Sequence, residues 1–271
     1  MKRKMKKHGL YMLLAVLLIG QQQVSMAQKL PNTQNKGVIL PAAFKIDGLA
    51  EEWGNNFQAY NKNTNIYTTM ANNDQFLYLV VQAAEPIIIK KIIGGGISFT
   101  VCAAGKRSDP NPFAVTYPMV DNSYQTSIYS TVNLLRGNAG KSDSLVEAAN
   151  SKIAKESKTI KIRGFRTIGD SIISIYNKNG IKAASRVSDK GTLTCEFLIP
   201  LKLLHISGAN KQTIAYNIML NSPTVLQSTS TKKGKLTAVA ISIPRSLSNN
   251  ESDSNVIQYP TDYWGEYTFK N

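Results

Sequence analysis

From Val38 onward, short apolar runs of period two alternate with turn-forming residues, the pattern of half-buried strands rather than of helices. Gln75 to Gln82 (QFLYLVVQ) reads as a strand rich in β-branched and aromatic residues, entered through the turn signal Asn72-Asn73-Asp74. Ile97 to Val101 reads as another, entered through a turn at Gly94-Gly95-Gly96. Ser171 to Tyr176 and Ile181 to Val187 flank Asn177 to Gly180, where Asn179-Gly180 tolerates the positive φ of a tight hairpin. With Thr192 to Leu198 they predict a meander of three strands. Ile214 to Leu220 and Leu236 to Ile243 continue the series, and Glu266 to Phe269 closes it. One segment departs from the alternation. Leu145, Ala148, Ala149 and Ile153 recur at helical spacing behind a Ser144-x-x-Glu147 capping box, which predicts one surface helix over Ser142 to Lys155. A short helical turn is expected over Leu201 to Leu204. The fold class predicted is all-β: an antiparallel β-sandwich of jelly-roll or Ig-like type, with one short surface helix.

The beginning of the chain has a different grammar. A cationic stretch, Met1 to Lys7, precedes eleven apolar residues from Leu10 to Gly20, and Ser25-Met26-Ala27 supplies a small-x-small cleavage site. The apolar run is shorter than the roughly 20 residues a membrane-spanning helix needs. Residues 1–27 are therefore expected to be a cleavable signal peptide, residues 28–37 a flexible polar leader, and residues 38–271 one β-sandwich domain. The expected location is secreted or periplasmic. Five of the 32 Lys and Arg residues lie in the cationic stretch, leaving 27 cations against 17 acids in the remainder. That excess suits attraction to an anionic surface such as lipopolysaccharide or an acidic glycan, or simply a solvated lysine-rich surface. Its clusters, Lys90-Lys91, Lys152 to Lys161 and Lys232 to Lys235, are not interleaved with the aromatics of a base-stacking platform, so nucleic acid is not the expected partner. Cys195 falls in phase with Leu193, Phe197 and Ile199 and should point inward, while Cys102 is out of phase with Ile97, Phe99 and Val101. Two free thiols are favoured over a bridge.

Catalytic signals are sparse. His205 is the one histidine outside the first 27 residues, so multi-histidine zinc sites are excluded, and its apolar setting suits a structural role. No Gly-x-Ser-x-Gly elbow occurs, and Ser230-x-x-Lys233 lacks the companion motifs that would give that spacing meaning. Asp47, Asp74 and Glu85, with Asp109, Asp121 and Asp262, lie at loop or strand ends where oxygen ligands for a structural calcium ion could converge. The best aromatic candidates for a stacking surface are Tyr259, Tyr263 and Trp264, with Trp53 serving either as a platform or as a core lid.

Three motifs in order carry a resemblance. Ile46-Asp47-Gly48 with Glu51-Glu52-Trp53, then Asp74-Gln75-Phe76-Leu77-Tyr78 with the apolar strand that follows, then Glu196-Phe197-Leu198-Ile199-Pro200 with its helical turn, resemble family 9 carbohydrate-binding-module-like (DOMON-like) β-sandwich domains. The resemblance spans residues 46–204. It implies a non-catalytic domain whose partner is a glycan or another cell-envelope component. The alternatives are a cell-envelope protein–protein interaction or structural role, a carboxylate-based glycosidase, and a haem-binding DOMON-type domain relying on His205.

Overall fold

The computed structural model describes residues 29–54, 56–137, 143–207, 212–223, 227–232, 235–241 and 251–270. The expected signal peptide, residues 1–27, lies outside them. Two antiparallel sheets face one another. The first contains β1 (Ala59–Asn61), β2 (Ile66–Asn72), β3 (Phe76–Ala83), β8 (Lys182–Val187) and β9 (Leu193–Pro200), in the order β1-β2-β3-β9-β8. The second contains β4 (Ile97–Cys102), β5 (Phe113–Tyr117), β6 (Thr159–Arg163), β7 (Ile172–Ser174), β10 (Thr213–Leu220) and β13 (Thr261–Thr268), in the order β13-β10-β4-β5-β6-β7. The remaining pair, β11 (Gln227–Lys232) and β12 (Lys235–Ile241), forms its own ribbon instead of extending a sheet.

The period-two pattern builds the core directly. In the six-stranded sheet Tyr263, Ile218, Phe99, Val115 and Ile162 form one inward cross-strand row. Leu79, Val81, Cys195 and Phe197 of the other sheet belong to the same apolar cluster. Phe99 meets Phe197 across the interface at 6.4 Å between ring centroids. A buried side chain of this size contributes roughly 1.5–3 kcal/mol, so these rows, not local propensity, hold the sheets face to face. Both cysteines are buried free thiols, Cys195 inward and Cys102 on the outward side of its sheet.

Two expectations need correction. The predicted hairpin at Asn179-Gly180 does not pair its flanking strands, because β7 and β8 belong to different sheets; only β8 and β9 of the meander are neighbours. The link crosses from one layer to the other, using the same positive φ, 83° at Gly180. Nor is the predicted surface helix alone. Besides α3 (Asp143–Glu156), the chain forms α1 (Pro86–Gly95), α2 (Asn122–Gly137) and α4 (Glu251–Gln258). The run of isoleucines in α1 has strand-like composition. Pro86 at its first position and Gly96 at its C-cap (φ 74°) nevertheless bracket a helix. It is so deeply packed that Lys90 and Lys91, expected in a surface cluster, are both buried. Lys90 Nζ lies 4.2 Å from the centroid of the Tyr129 ring. Lys91 Nζ donates to the Tyr259 carbonyl at 2.6 Å and to Thr261 Oγ1 at 3.0 Å. Helix α2 buries Gln125, Ile128, Val132 and Leu135 at helical spacing, and Asp121 caps it by accepting the Ser123 N–H. Helix α3 is fixed to β8 through Asn150, whose amide bonds both the N–H and the carbonyl of Val187. Among the described residues no helix is long and apolar enough to cross a membrane.

Residues 31–40 are held in place by backbone and side-chain hydrogen bonds. The segment expected as a flexible leader lies along the β2 edge beyond the end of β1. There Gln34 bonds the N–H and the carbonyl of Met70 at 2.7 and 2.8 Å. Lys36 bridges to Thr268 of β13. A Cβ at Gly37 would come within 2.4 Å of the Thr268 carbonyl, so only glycine allows this approach. Residues 38–57 then cover the outward face of the five-stranded sheet in a second apolar cluster. Here the three resemblance motifs meet. The Glu196 carboxylate, fully buried, accepts the Tyr78 hydroxyl at 2.6 Å, the Asp47 N–H at 2.9 Å and the Gly48 N–H. Burial of the carboxylate outweighs these donors and pushes its pKa up to about 7. Trp53 lies over Tyr78, 5.8 Å between centroids, and is buried. It is a core lid, not a stacking platform.

Candidate functional site

Strand β13 sets the site by alternation. Tyr263, Gly265 and Tyr267 point into the core, and Asp262, Trp264 and Glu266 point outward. The expected cluster of Tyr259, Tyr263 and Trp264 is therefore divided. Tyr263 is buried with its hydroxyl 3.3 Å from Thr68 Oγ1. Tyr259 is exposed, but it precedes β13, and its carbonyl is the group that holds Lys91. Trp264 remains, partly exposed on the outward face of the six-stranded sheet.

Register names its neighbours. Trp264 pairs with Asn217, which pairs with Thr100, then Ala114, then Arg163. The next outward row runs Asp262, Met219, Ser98, Thr116, Lys161. Between these rows lies a cleft of about 320 Å³, lined by Ser98, Thr100, Thr116, Lys161, Arg163 and Met219 among others. Its floor is a fixed polar network. Ser98 Oγ lies 2.8 Å from Thr116 Oγ1, and Asn221 Nδ2 donates to Ser98 Oγ at 3.0 Å and to the Gly96 carbonyl at 3.1 Å. Asn217 donates to Asp262 Oδ2 at 2.5 Å and to the Tyr263 carbonyl at 3.0 Å, which holds the carboxylate beside Trp264. From the loop after β4, the Arg107 guanidinium lies 5.8 Å from the Trp264 ring centroid, a cation–π contact. The arrangement offers a flat apolar ring beside oriented hydroxyl, amide and charged groups. That combination suits a ligand with both C–H faces and hydroxyls. Apart from Trp264, Asp262 and Lys161, the end of the Lys152 to Lys161 cluster, none of these residues stood out in the sequence. Their only signal is that they occupy the polar phase of strands far apart in the chain.

A larger cleft of about 530 Å³ lies at the β3 start, lined by Asp74, Phe76, Lys178, Lys202 and Leu201 among others. Its ring is already engaged, since Phe76 packs against Phe44 at 6.2 Å in the second apolar cluster. The expected calcium ligands do not converge. Asp74 and Glu85 flank opposite ends of the eight-residue β3, which itself spans roughly 23 Å at strand rise. Asp47 turns its Oδ1 onto its own loop at the Leu49 N–H. Asp121 is the α2 cap, and its bonds from Ser123 hold its carboxyl below the usual range. Among the described residues no group of three His, Cys, Asp or Glu side chains is placed to hold a metal ion. His205 is exposed in the left-handed conformation (φ 56°) after the Leu201–Leu204 turn, its ring 5.9 Å from that of Phe113.

Fold and face together define a two-sheet antiparallel β-sandwich whose six-stranded sheet carries a polar cleft on its outward side. No family model matches the chain, and no curated protein matches it. Among solved structures, a family 9 carbohydrate-binding module from Caldicellulosiruptor kristjanssonii in complex with glucose aligns with 88% of this chain and 96% of that chain. The identity is 8% and the TM-score 0.41. This is the family that the three sequence motifs resemble; the sandwich itself is defined by the two sheets.

Proposed function

We propose that the protein is an exported, non-catalytic carbohydrate-binding domain whose site is the outward face of the six-stranded sheet. The observation that carries this reading is Trp264: a partly exposed indole on the same outward sheet face as a cleft lined by hydroxyl, amide and cationic side chains. The motifs at Asp47-Gly48, Tyr78 and Glu196 build the fold and take no part in binding. Calorimetry with a panel of neutral and acidic oligosaccharides tests the reading. Binding that is lost in Trp264→Ala, with unchanged thermal unfolding, supports it; silence across the panel overturns it. Export is proposed from residues 1–27, and N-terminal sequencing of the released protein should begin at Gln28.

A second reading, a protein partner in the cell envelope, has one observation in its favour. Strand β7 is the outermost of its sheet and exposes Ile172, with Tyr176 also exposed just beyond it. A stoichiometric partner recovered from envelope extract by the wild type and lost in Ile172→Lys would favour that reading.

A further inference from the structure

Charge of both signs lies on the outward face of the six-stranded sheet. The edge strand β13 presents Asp262 and Glu266, with Arg107 over Trp264 beside them; toward the other side, β6, next to the edge strand β7, presents Lys161 and Arg163, both exposed and both lining the cleft. The one ion pair among the described residues, Lys155 with Glu156, lies elsewhere. The two cations stand in a cleft with Thr116 and Thr100, whose hydroxyls complement oxyanions. Lys161 and Arg163 are two residues apart on one strand, so their side chains emerge on the same face, roughly 7 Å apart at the backbone. Such a pair is suited to chelate a carboxylate, sulfate or phosphate group. Trp264 and Arg163 share a cross-strand row and are separated by four strand spacings, about 19 Å at the backbone. That span is oligomeric, not that of one sugar ring.

Resting on the carbohydrate-binding reading above, we propose that this face selects an anionic oligosaccharide. Lys161 and Arg163 hold an acidic substituent, and Trp264 stacks on a sugar ring toward the opposite edge. Neutral sugars of the same length lack the first contact and bind through the second alone.

The test uses the purified protein and calorimetry with three sets of length-matched oligosaccharides: neutral glucans, oligogalacturonates and sulfated oligosaccharides. At least one acidic set should bind roughly tenfold or more tightly than the neutral set, as expected for one or two charge-assisted hydrogen bonds. That margin should shrink as salt rises from 0.05 to 0.5 M. The uronate and sulfate arms separate the two sources of charge. Lys161→Gln with Arg163→Gln should remove the margin, bringing the affinity for acidic sugars down to that for neutral ones; both positions are solvated, and an unchanged thermal melt checks that the variant is folded. Equal affinity for neutral and acidic sugars, unmoved by the double substitution, overturns this inference and leaves the carbohydrate-binding reading intact. Failure of every sugar to bind overturns both.

Discussion

Replacing Glu196 probes how the Asp47-Gly48 loop is fixed to the sandwich. Its carboxylate is the common acceptor for Tyr78, Asp47 and Gly48, and the Tyr78 and Gly48 bonds are buried. Glu196→Ala strands two buried donors at about 1–3 kcal/mol each and leaves a void, so a loss of about 3–5 kcal/mol is expected. Against a domain stability of about 5–15 kcal/mol, that is a large fraction. Glu196→Gln keeps the volume and one acceptor oxygen, so it should cost less, and its deficit should depend on pH. The folded-state pKa of Glu196, about 7, lies above the ordinary value of 4.5, so the folded protein binds more protons between these values. The stability from this group is therefore fully present below pH 4.5 and is lost as pH rises through 7. The wild type should lose about 3 kcal/mol relative to Glu196→Gln across that window. Urea unfolding of both proteins at pH 4.5, 6 and 8 measures the difference. Stabilities that stay parallel across the three pH values, or a wild type that gains on Glu196→Gln as pH rises, would refute the reasoning.

Other substitutions test separate parts of the structure. Gly48 has φ 82°, and a Cβ there would lie 2.8 Å from the Arg186 backbone nitrogen. Gly48→Ala should cost about 2 kcal/mol or more in urea unfolding, and a neutral result would contradict the packing of the loop on β8. Lys91, buried between α1 and the start of β13, has its pKa lowered to about 8 by desolvation. Its folded pKa is below the unfolded one, so wild-type stability should rise relative to Lys91→Met between pH 8 and 10.5; thermal melts across that range check the sign. Burial pushes both cysteine thiols up. Neither should react with iodoacetamide in the native state at pH 8, and both should react in guanidinium; mass spectrometry counts the adducts.

How much was legible follows from where each signal resides. The strands around Phe76–Ala83, Ile97–Cys102 and Leu193–Pro200 were readable because β-branched and aromatic composition between turn signals is local, even though these strands are buried on both faces. Partner choice was not, since Asn179-Gly180 encodes a positive φ without saying whether the next strand stays in the sheet. Helix α1 was hidden by its isoleucines, since a helix buried on most sides loses the polar stripe that marks its period. The resemblance motifs were visible because three backbone-level demands meet at Glu196: a positive φ at Gly48, two free N–H groups and one tyrosine hydroxyl. At the site, Trp264 was visible by residue type alone. Asn217, Ser98, Thr116, Lys161 and Arg163 became neighbours only through strand order, which no local pattern carries.

The two tryptophans permit the most direct test of the proposed site. Trp53 is buried against Tyr78 and Trp264 is partly exposed on the six-stranded sheet, so a ¹⁵N NMR titration with an oligosaccharide reads both indole N–H signals at once. The expected result is a shift of the Trp264 indole with the backbone amides of β13, β10 and β4, while the Trp53 indole stays still. Shifts centred on Asp74, Lys178 and Lys202, with Trp264 unmoved, would place binding in the other cleft and contradict the assignment.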